Sequence, residues 1–211
     1  MIRAVTLDVD GTLYDRRPMA FRMLWRNWRR WGALRVGIRV REELRAHAFA
    51  DGQELRIEEA RIVAERLEMD APSARALLDD IFDRSLCDAL VSQRDARLSA
   101  ALRAISSRGI FLGAISDRRI DDKLLALDLD LSQFQSRISA DDTGILKPNA
   151  LVLERIANAW GISMYQLVHI GDRDDVDGEL ARSAGARFIH VRSLEDTLRA
   201  LHGLASATGT I

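Results

Sequence analysis

Two aspartates stand two positions apart in "LDVDGTLYD", residues 7–15, directly after an apolar run. Asp8 and Asp10 would close a buried strand, where desolvation penalises both charges. More polar groups follow other apolar runs. "FLGAIS" ends at Ser116 with Asp117 next, and "LVHIGD" ends at Asp172 with Asp174, Asp175 and Asp177 close behind. Lys147, after "ADDTGIL", offers a positive charge. Crowded carboxylates drive one another toward the protonated form unless a cation compensates. An Asp-only set without a His or Cys pair suits a hard divalent ion, Mg²⁺ rather than zinc, bound by one or two carboxylates, water and a substrate phosphate. Gly11, followed by Thr12, frees the backbone to turn sharply and to bring N–H groups close to an anion. A phosphoryl group fits such a nest.

These residues need elements that bring them together. Short apolar, β-branched runs occur at 4–9, 110–115, 137–139, 167–170 and 187–191, alternating with helical periods from residue 95 onward. The pattern predicts a buried parallel sheet in a three-layer, doubly wound, Rossmann-like α/β core. In open parallel sheets the ligand site lies beyond the carboxyl ends of the strands, so groups far apart in sequence converge there. Between Arg94 and Gly109 one helical face carries Leu98, Ala101, Leu102 and Ile105, with Gly109 at the C-terminal cap. "PNALVLERIANAWG" reads as a helix started by Pro148 and ended by Gly161.

Residues 16–94 interrupt the alternation with helical patterns and no convincing strand, too long for an ordinary connection. They read as an inserted α-helical domain, leaving 1–15 and 95–211 as the core. Phe21, Leu24, Trp25, Trp28 and Trp31 fall on one helical face, and Arg22, Arg26, Arg29 and Arg30 on the other. The aromatic face is expected to be buried and the arginines solvated. Further helices are expected around 57–67 and 72–86, and a frayed tail over 203–211.

The chain has 211 residues, 47% hydrophobic and 30% charged, enough for one core or a core with a small accessory domain. A net charge of −1 supplies no global drive toward nucleic acid or an anionic membrane. Arg16 to Arg45 does contain ten arginines interleaved with three tryptophans. Stacking and phosphate contacts would then lie on opposite sides of the helix, which argues against nucleic acid. The lone Cys87 cannot form an internal disulfide and reads as a small buried residue. His47, His190 and His202 have no partner pattern, and His169 reads as a packed strand residue. With no leader-like or membrane-spanning run, a soluble cytoplasmic protein is expected, a monomer or homodimer.

Together "DVDGT" at 8–12, Ser116 after its apolar strand, "KP" at 147–148 and "GDRDDVD" at 171–177 resemble the four motifs of the haloacid dehalogenase (HAD) superfamily, in the same order. The helical insert after the first motif is similar to that family's cap domain. The resemblance implies roles residue by residue. Asp8 would be the nucleophile that forms an aspartyl-phosphate. Asp10 would protonate the leaving group and then activate water. Ser116 would bind a phosphoryl oxygen, with Gly11, Thr12 and Asp117 beside the substrate, and Lys147 would neutralise charge on the phosphoryl group and Asp8. Asp172 would hold Mg²⁺ with Asp8 and the backbone carbonyl of Asp10, while Asp177, with Asp174 and Asp175 as alternatives, would act as a supporting partner. Members that release halide lack an acid two positions after the nucleophile, so Asp10 points to phosphoryl chemistry. The sequence departs from the family pattern at Asp117, where Asn is frequent, and at Arg173, where Ser or Thr is common. The expected activity is a Mg²⁺-dependent phosphohydrolase acting on a small phosphorylated metabolite. A sugar-phosphate mutase and a non-catalytic binding or regulatory protein are the alternatives. Cap arginines, Arg16 and Arg17 first, are candidates for binding an anionic part of the substrate. Tyr14 and Asp15 are expected to form the hinge.

Overall fold

In the computed structural model residues 1–206 are described. The expected tail is covered only at 203–206, which lie in the last helix, and the rest of it is outside the described residues. Five parallel strands form one sheet: β1 (Ala4–Asp8), β2 (Phe111–Ser116), β3 (Ser136–Ser139), β4 (Leu167–Gly171) and β5 (Arg187–His190). Their order is β3-β2-β1-β4-β5. β1 is therefore central, with Leu7 opposite Ala114 on one side and Ile170 on the other. This register brings the carboxyl ends of β1, β2 and β4, and with them Asp8, Ser116 and Asp172, to one edge of the sheet.

Strand alternation sends side chains to two faces. Val5, Leu7, Leu112, Ala114, Val168 and Ile170 join an apolar cluster with α6 (Ala96–Ser106) and α11 (Leu194–Ser206). Ala4, Ile115 and Leu167 pack on the opposite face against α9 (Leu151–Trp160) and α10 (Glu179–Ala184). Caps set these helix ends. Asp95 accepts a hydrogen bond from the Arg97 N–H at the start of α6, and Gly161 ends α9 in the left-handed region. Pro148 does not begin α9, contrary to the sequence expectation. The helix starts at Leu151, whose N–H donates to the Asn149 side chain, so 148–150 form the turn that leads into it.

Between β1 and β2 the described chain is helical, with no strand: α1 (Arg16–Arg26), α2 (Trp31–Glu43), α3 (Gly52–Leu67), α4 (Ala71–Asp79), a π-helical turn over Asp80–Ser85, and α5 (Leu86–Leu90). Asp51 and Asp70 cap α3 and α4, and Pro72 sits in the first turn of α4. The apolar interior of these helices, with Met19, Met23, Leu34 and Val63, is continuous with the cluster on the sheet. Among the described residues no helix is long and apolar enough to cross a membrane.

The aromatic stripe is not buried. Phe21, Trp25 and Trp28 are 70%, 76% and 65% exposed, and Leu24 and Trp31 are exposed to a lesser degree. The helix breaks at Asn27, so one wheel does not describe residues 17–31. The inward stripe is Met19, Met23 and Asn27, spaced four apart. The Asn27 amide donates to the Met23 carbonyl and the Ser85 hydroxyl, and this polar anchor fixes which face turns inward. The arginines are not simply solvated either: Arg26 pairs with Asp88, Arg30 with Asp80, and Arg29 lies over the Trp28 ring.

A buried ion cluster joins these helices to the sheet edge. Glu59 of α3, fully buried, accepts from Arg41 of α2 at 2.6 and 3.0 Å and from Arg118, just past β2, at 2.7 Å. Arg41 also reaches Asp141, on the short helix α8 (Ala140–Thr143), and the Asp117 carbonyl. Burial pushes the Glu59 carboxyl up, but Arg118 and Arg41 outweigh it and hold it below the usual range. Replacing Glu59 with Leu strands buried guanidinium charge and is expected to lower stability by about 3–5 kcal/mol. Urea unfolding should show this as a lower midpoint at unchanged slope; an unmoved midpoint would mean the cluster contributes nothing to holding the helices on the sheet.

Candidate active site

The buried Asp8 carboxylate ends β1 and is held from two sides. Thr12 Oγ1 donates to its Oδ2 at 3.1 Å, and Lys147 Nζ donates to its Oδ1 at 2.5 Å. Lys147 Nζ also donates to Asp177 Oδ1 at 2.7 Å. The other Asp177 oxygen accepts from the Arg173 N–H, and the Lys147 N–H donates to Asp117 Oδ1. Two glycines permit this crowding. Gly11, at φ +100°, would carry a Cβ 2.4 Å from Asp172 Oδ2, and a Cβ on Gly171 would lie 2.4 Å from that of Asp177.

Asp10 points to a separate group of donors. Its carboxylate accepts from Lys123 Nζ at 2.5 Å, Tyr14 Oη at 2.7 Å and Ser116 Oγ at 3.0 Å. Lys123, buried on the short helix α7 (Asp121–Ala126), is the residue that sequence reading missed. Its one signal is a place seven residues after Ser116, on the helix that returns toward the same sheet edge. Tyr14 and Asp15, read as a hinge, are both tied down: Tyr14 to Asp10, and Asp15 as acceptor for the Leu194 N–H.

The electrostatics divide the two aspartates. Burial, with Asp177, Asp10 and Asp172 nearby, pushes Asp8 well above the usual carboxyl range against the pull of Lys147. Partial burial pushes Asp10 the same way, but the Lys123 ammonium and the bonds from Lys123, Tyr14 and Ser116 prevail and bring it down to about 2. Asp172 is raised by burial despite the Arg16 guanidinium at 3.0 Å. Asp177 is held low: burial opposes this, and Lys147 and His169 override it. His169 is a packed residue as expected, hydrogen-bonded to Thr6, yet its Nε2 stands 3.5 Å from Asp177 Oδ1.

Asp8, Asp172 and Asp177 can each turn one oxygen to within 4.8 Å of the others. An all-oxygen carboxylate set, with two members whose ionised forms are disfavoured by burial, fits a hard divalent cation. The Asp10 side chain stands outside this set, so only its backbone carbonyl is left for the metal role expected of it. Asp174 and Asp175 are also outside, paired at the surface with Arg182 and Arg173. Asp117 pairs with Arg45 at 2.5 Å and lines the cleft without a free oxygen aimed at Asp8. Cys87 is half-buried, its thiol pushed up to about 11 by burial. Above the aspartates opens a cleft of about 610 Å³, walled by α1, α2, the π-helical turn and α5. Arg16 lies in it and Arg17 does not.

A family model described as haloacid dehalogenase-like hydrolase matches residues 2–185. Among curated proteins nothing matches. Solved structures do. The hydrolase YfnB from Bacillus subtilis, bound to magnesium, aligns at 17% identity and TM-score 0.66 over 95% of this chain and 99% of its own. A 2-haloacid dehalogenase from Pseudomonas syringae pv. Tomato aligns at 21% identity and TM-score 0.63 over 96% and 99%. A HAD phosphatase from Thermococcus onnurineus aligns at 17% and 0.56, also over 96% and 99%. At these identities the likeness speaks for the fold.

The carboxylate set gives a metal-binding prediction. Mg²⁺ at about a hundredfold excess over its Kd should raise the unfolding midpoint by roughly 5–10 °C, and Asp172→Asn should abolish most of that rise. Equal shifts in both proteins, followed by thermal melts, would place the ion elsewhere.

Proposed function

Because the chain belongs to the haloacid dehalogenase-like hydrolases, we propose that it is a Mg²⁺-dependent phosphohydrolase that cleaves a small phosphorylated metabolite through an aspartyl-phosphate on Asp8. The observation that carries this reading is the setting of Asp10: an acid two residues past the nucleophile, hydrogen-bonded to Lys123, Tyr14 and Ser116. A halide leaves without a proton. An alkoxide does not, and Asp10 is the group equipped to supply one.

Asp8 and Asp172, with the Asp10 carbonyl and Asp177 close by, would hold Mg²⁺, which when bound would supply positive charge that offsets the repulsion between the nucleophile and the phosphate. The chain's own residues do the rest. Asp8 attacks phosphorus, forming the acyl phosphate as the ester P–O bond breaks. Lys147 pulls Asp8 toward its ionised form against the effect of burial and, with the Ser116 hydroxyl, meets the charge on the equatorial oxygens. At rest Lys123 holds Asp10 ionised; the negative phosphoryl group raises its proton affinity, so a proton is taken up as substrate binds. Asp10 passes that proton to the leaving oxygen. It then takes one from water, which attacks phosphorus and returns Asp8 as free carboxylate with inorganic phosphate released. The helices over the cleft act as a cap that limits water to this second step.

Phosphate release from phosphomonoesters in the presence of Mg²⁺ tests the reading. Asp8→Asn and Asp10→Asn should each reduce kcat by at least about 10³-fold, a loss typical of removing a reacting group. Halide release from 2-haloacids without any phosphatase activity would overturn it, as would full activity in Asp8→Asn.

A further inference from the structure

The walls of the cleft describe the part of the substrate that is not phosphate. On the inner side they are apolar: Met19 and Met23 of α1, Leu34 of α2, Phe82 of the π-helical turn and Leu86 of α5, all buried. The rim is apolar as well. Phe21, Trp31 and Ile38, all exposed, line its mouth. The aromatic stripe that the helices leave uncovered is thus in part the entrance to the site.

The polar lining has a second property. Every cation facing the cleft already has a carboxylate partner. Arg41 and Arg118 share Glu59, Arg45 holds Asp117, and Arg173 holds Glu42 and Asp175. Lys123 and Lys147 serve Asp10, Asp8 and Asp177. Arg16 is bonded to Asp172, at the phosphoryl end, so even when released from that carboxylate it lies beside the phosphoryl group and not beside the far end of a substrate. A second anionic group on the substrate would find no unpaired cation among the described residues that line the cleft. Drawing Arg41 or Arg118 away would strand the buried Glu59.

Uncharged polar recognition is equally scarce. Beyond the phosphoryl end, where Thr12 and Ser116 sit behind the aspartates, no Ser, Thr, Asn, Gln or His side chain lines the cleft among the described residues, and the one hydroxyl that does, that of Tyr14, donates to Asp10. A polyhydroxylated body such as a sugar would surrender its hydration to methionine, leucine and phenylalanine, leaving its hydroxyls unpaired. An apolar body is stabilised by the same walls.

Building on the phosphohydrolase reading, we infer that the substrate is the phosphate monoester of an uncharged apolar alcohol, aryl or alkyl, whose carbon body lies between α1, α2 and the π-helical turn while its phosphate reaches Asp8. Arg16 then serves the phosphoryl end, and Arg17, outside the cleft, has no part in substrate binding.

Phosphate release from butyl, hexyl, octyl and 1-naphthyl phosphate, compared with glucose 6-phosphate and phosphoglycolate, tests this. Along the alkyl series kcat/KM should rise about three- to fourfold per methylene until the cleft is filled. The best apolar ester should exceed both polar esters by at least about 100-fold. A preference for the naphthyl ester assigns an aryl alcohol, and one for octyl an alkyl alcohol. Ile38→Asp, a change at the exposed rim, should flatten the chain-length dependence. Glucose 6-phosphate or phosphoglycolate turning over as well as the octyl ester would overturn the inference. Calorimetric binding of butyl- and octylphosphonate separates it from the reaction. Tighter binding of the longer chain without turnover of any ester leaves the apolar subsite standing and removes the phosphatase reading. No chain-length dependence in either measurement removes the subsite.

Discussion

The site depends on one buried ammonium. Lys147 Nζ lies within hydrogen-bond reach of both Asp8 and Asp177, and without it the three clustered carboxylates would be left with only the exposed Arg16 guanidinium, on Asp172, to offset them. Burial raises the proton affinity of each of them, and each neighbour raises that of the next. The ammonium reverses this for Asp177 and opposes it for Asp8. Buried pairs of this kind are weak contributors to net stability, since desolvation offsets the attraction, but they are costly to break. What the arrangement secures is a carboxylate, Asp8, fixed in position and facing the open cleft.

The same logic recurs around Asp10 and Glu59, with different consequences. Lys123, Tyr14 and Ser116 hold the Asp10 carboxyl low and separate from the metal-type cluster, so two acids two residues apart sit in opposite electrostatic settings. Around Glu59, two guanidinium groups and Asp141 satisfy one another at the junction of α2, α3 and the sheet edge. Arg118 also stacks on Phe82, 3.8 Å from the ring centroid, so the ionic junction and the apolar cleft wall meet at one side chain. The helices over the site are held by a fixed polar junction on one side and by shared apolar packing on the other.

Much of the fold was legible because its signals are local. The inner strands β1, β2 and β4 are short, largely apolar runs, and Gly161 marks a helix end because it sits at a left-handed cap. The aromatic stripe was misread because helical periodicity identifies a face without saying which way it turns. Bulk favoured burying the tryptophans, but Asn27 broke the helix and anchored the opposite stripe to Ser85. Three large rings were left in solvent, two of them, Trp25 and Trp28, beside arginines whose partners lie on α5 and the π-helical turn.

The chain order of the polar groups could be read from the amino acids alone: Asp8 at the end of β1 with Asp10 just past it, Ser116 at the end of β2, Lys147 before α9 and Asp172 after β4, because in a parallel sheet groups at strand ends must share an edge. Only the tertiary structure decided which groups touch. It chose Asp177 over Asp174 and Asp175, since a π-helical turn at 174–178 points one aspartate inward and leaves the others at the surface. It brought Lys123 to Asp10 from a helix 113 residues further along the chain, a pairing that no spacing records. Charge pairing in a buried site is fixed by distances of a few ångströms, and those are set by how elements pack, not by their order in the chain.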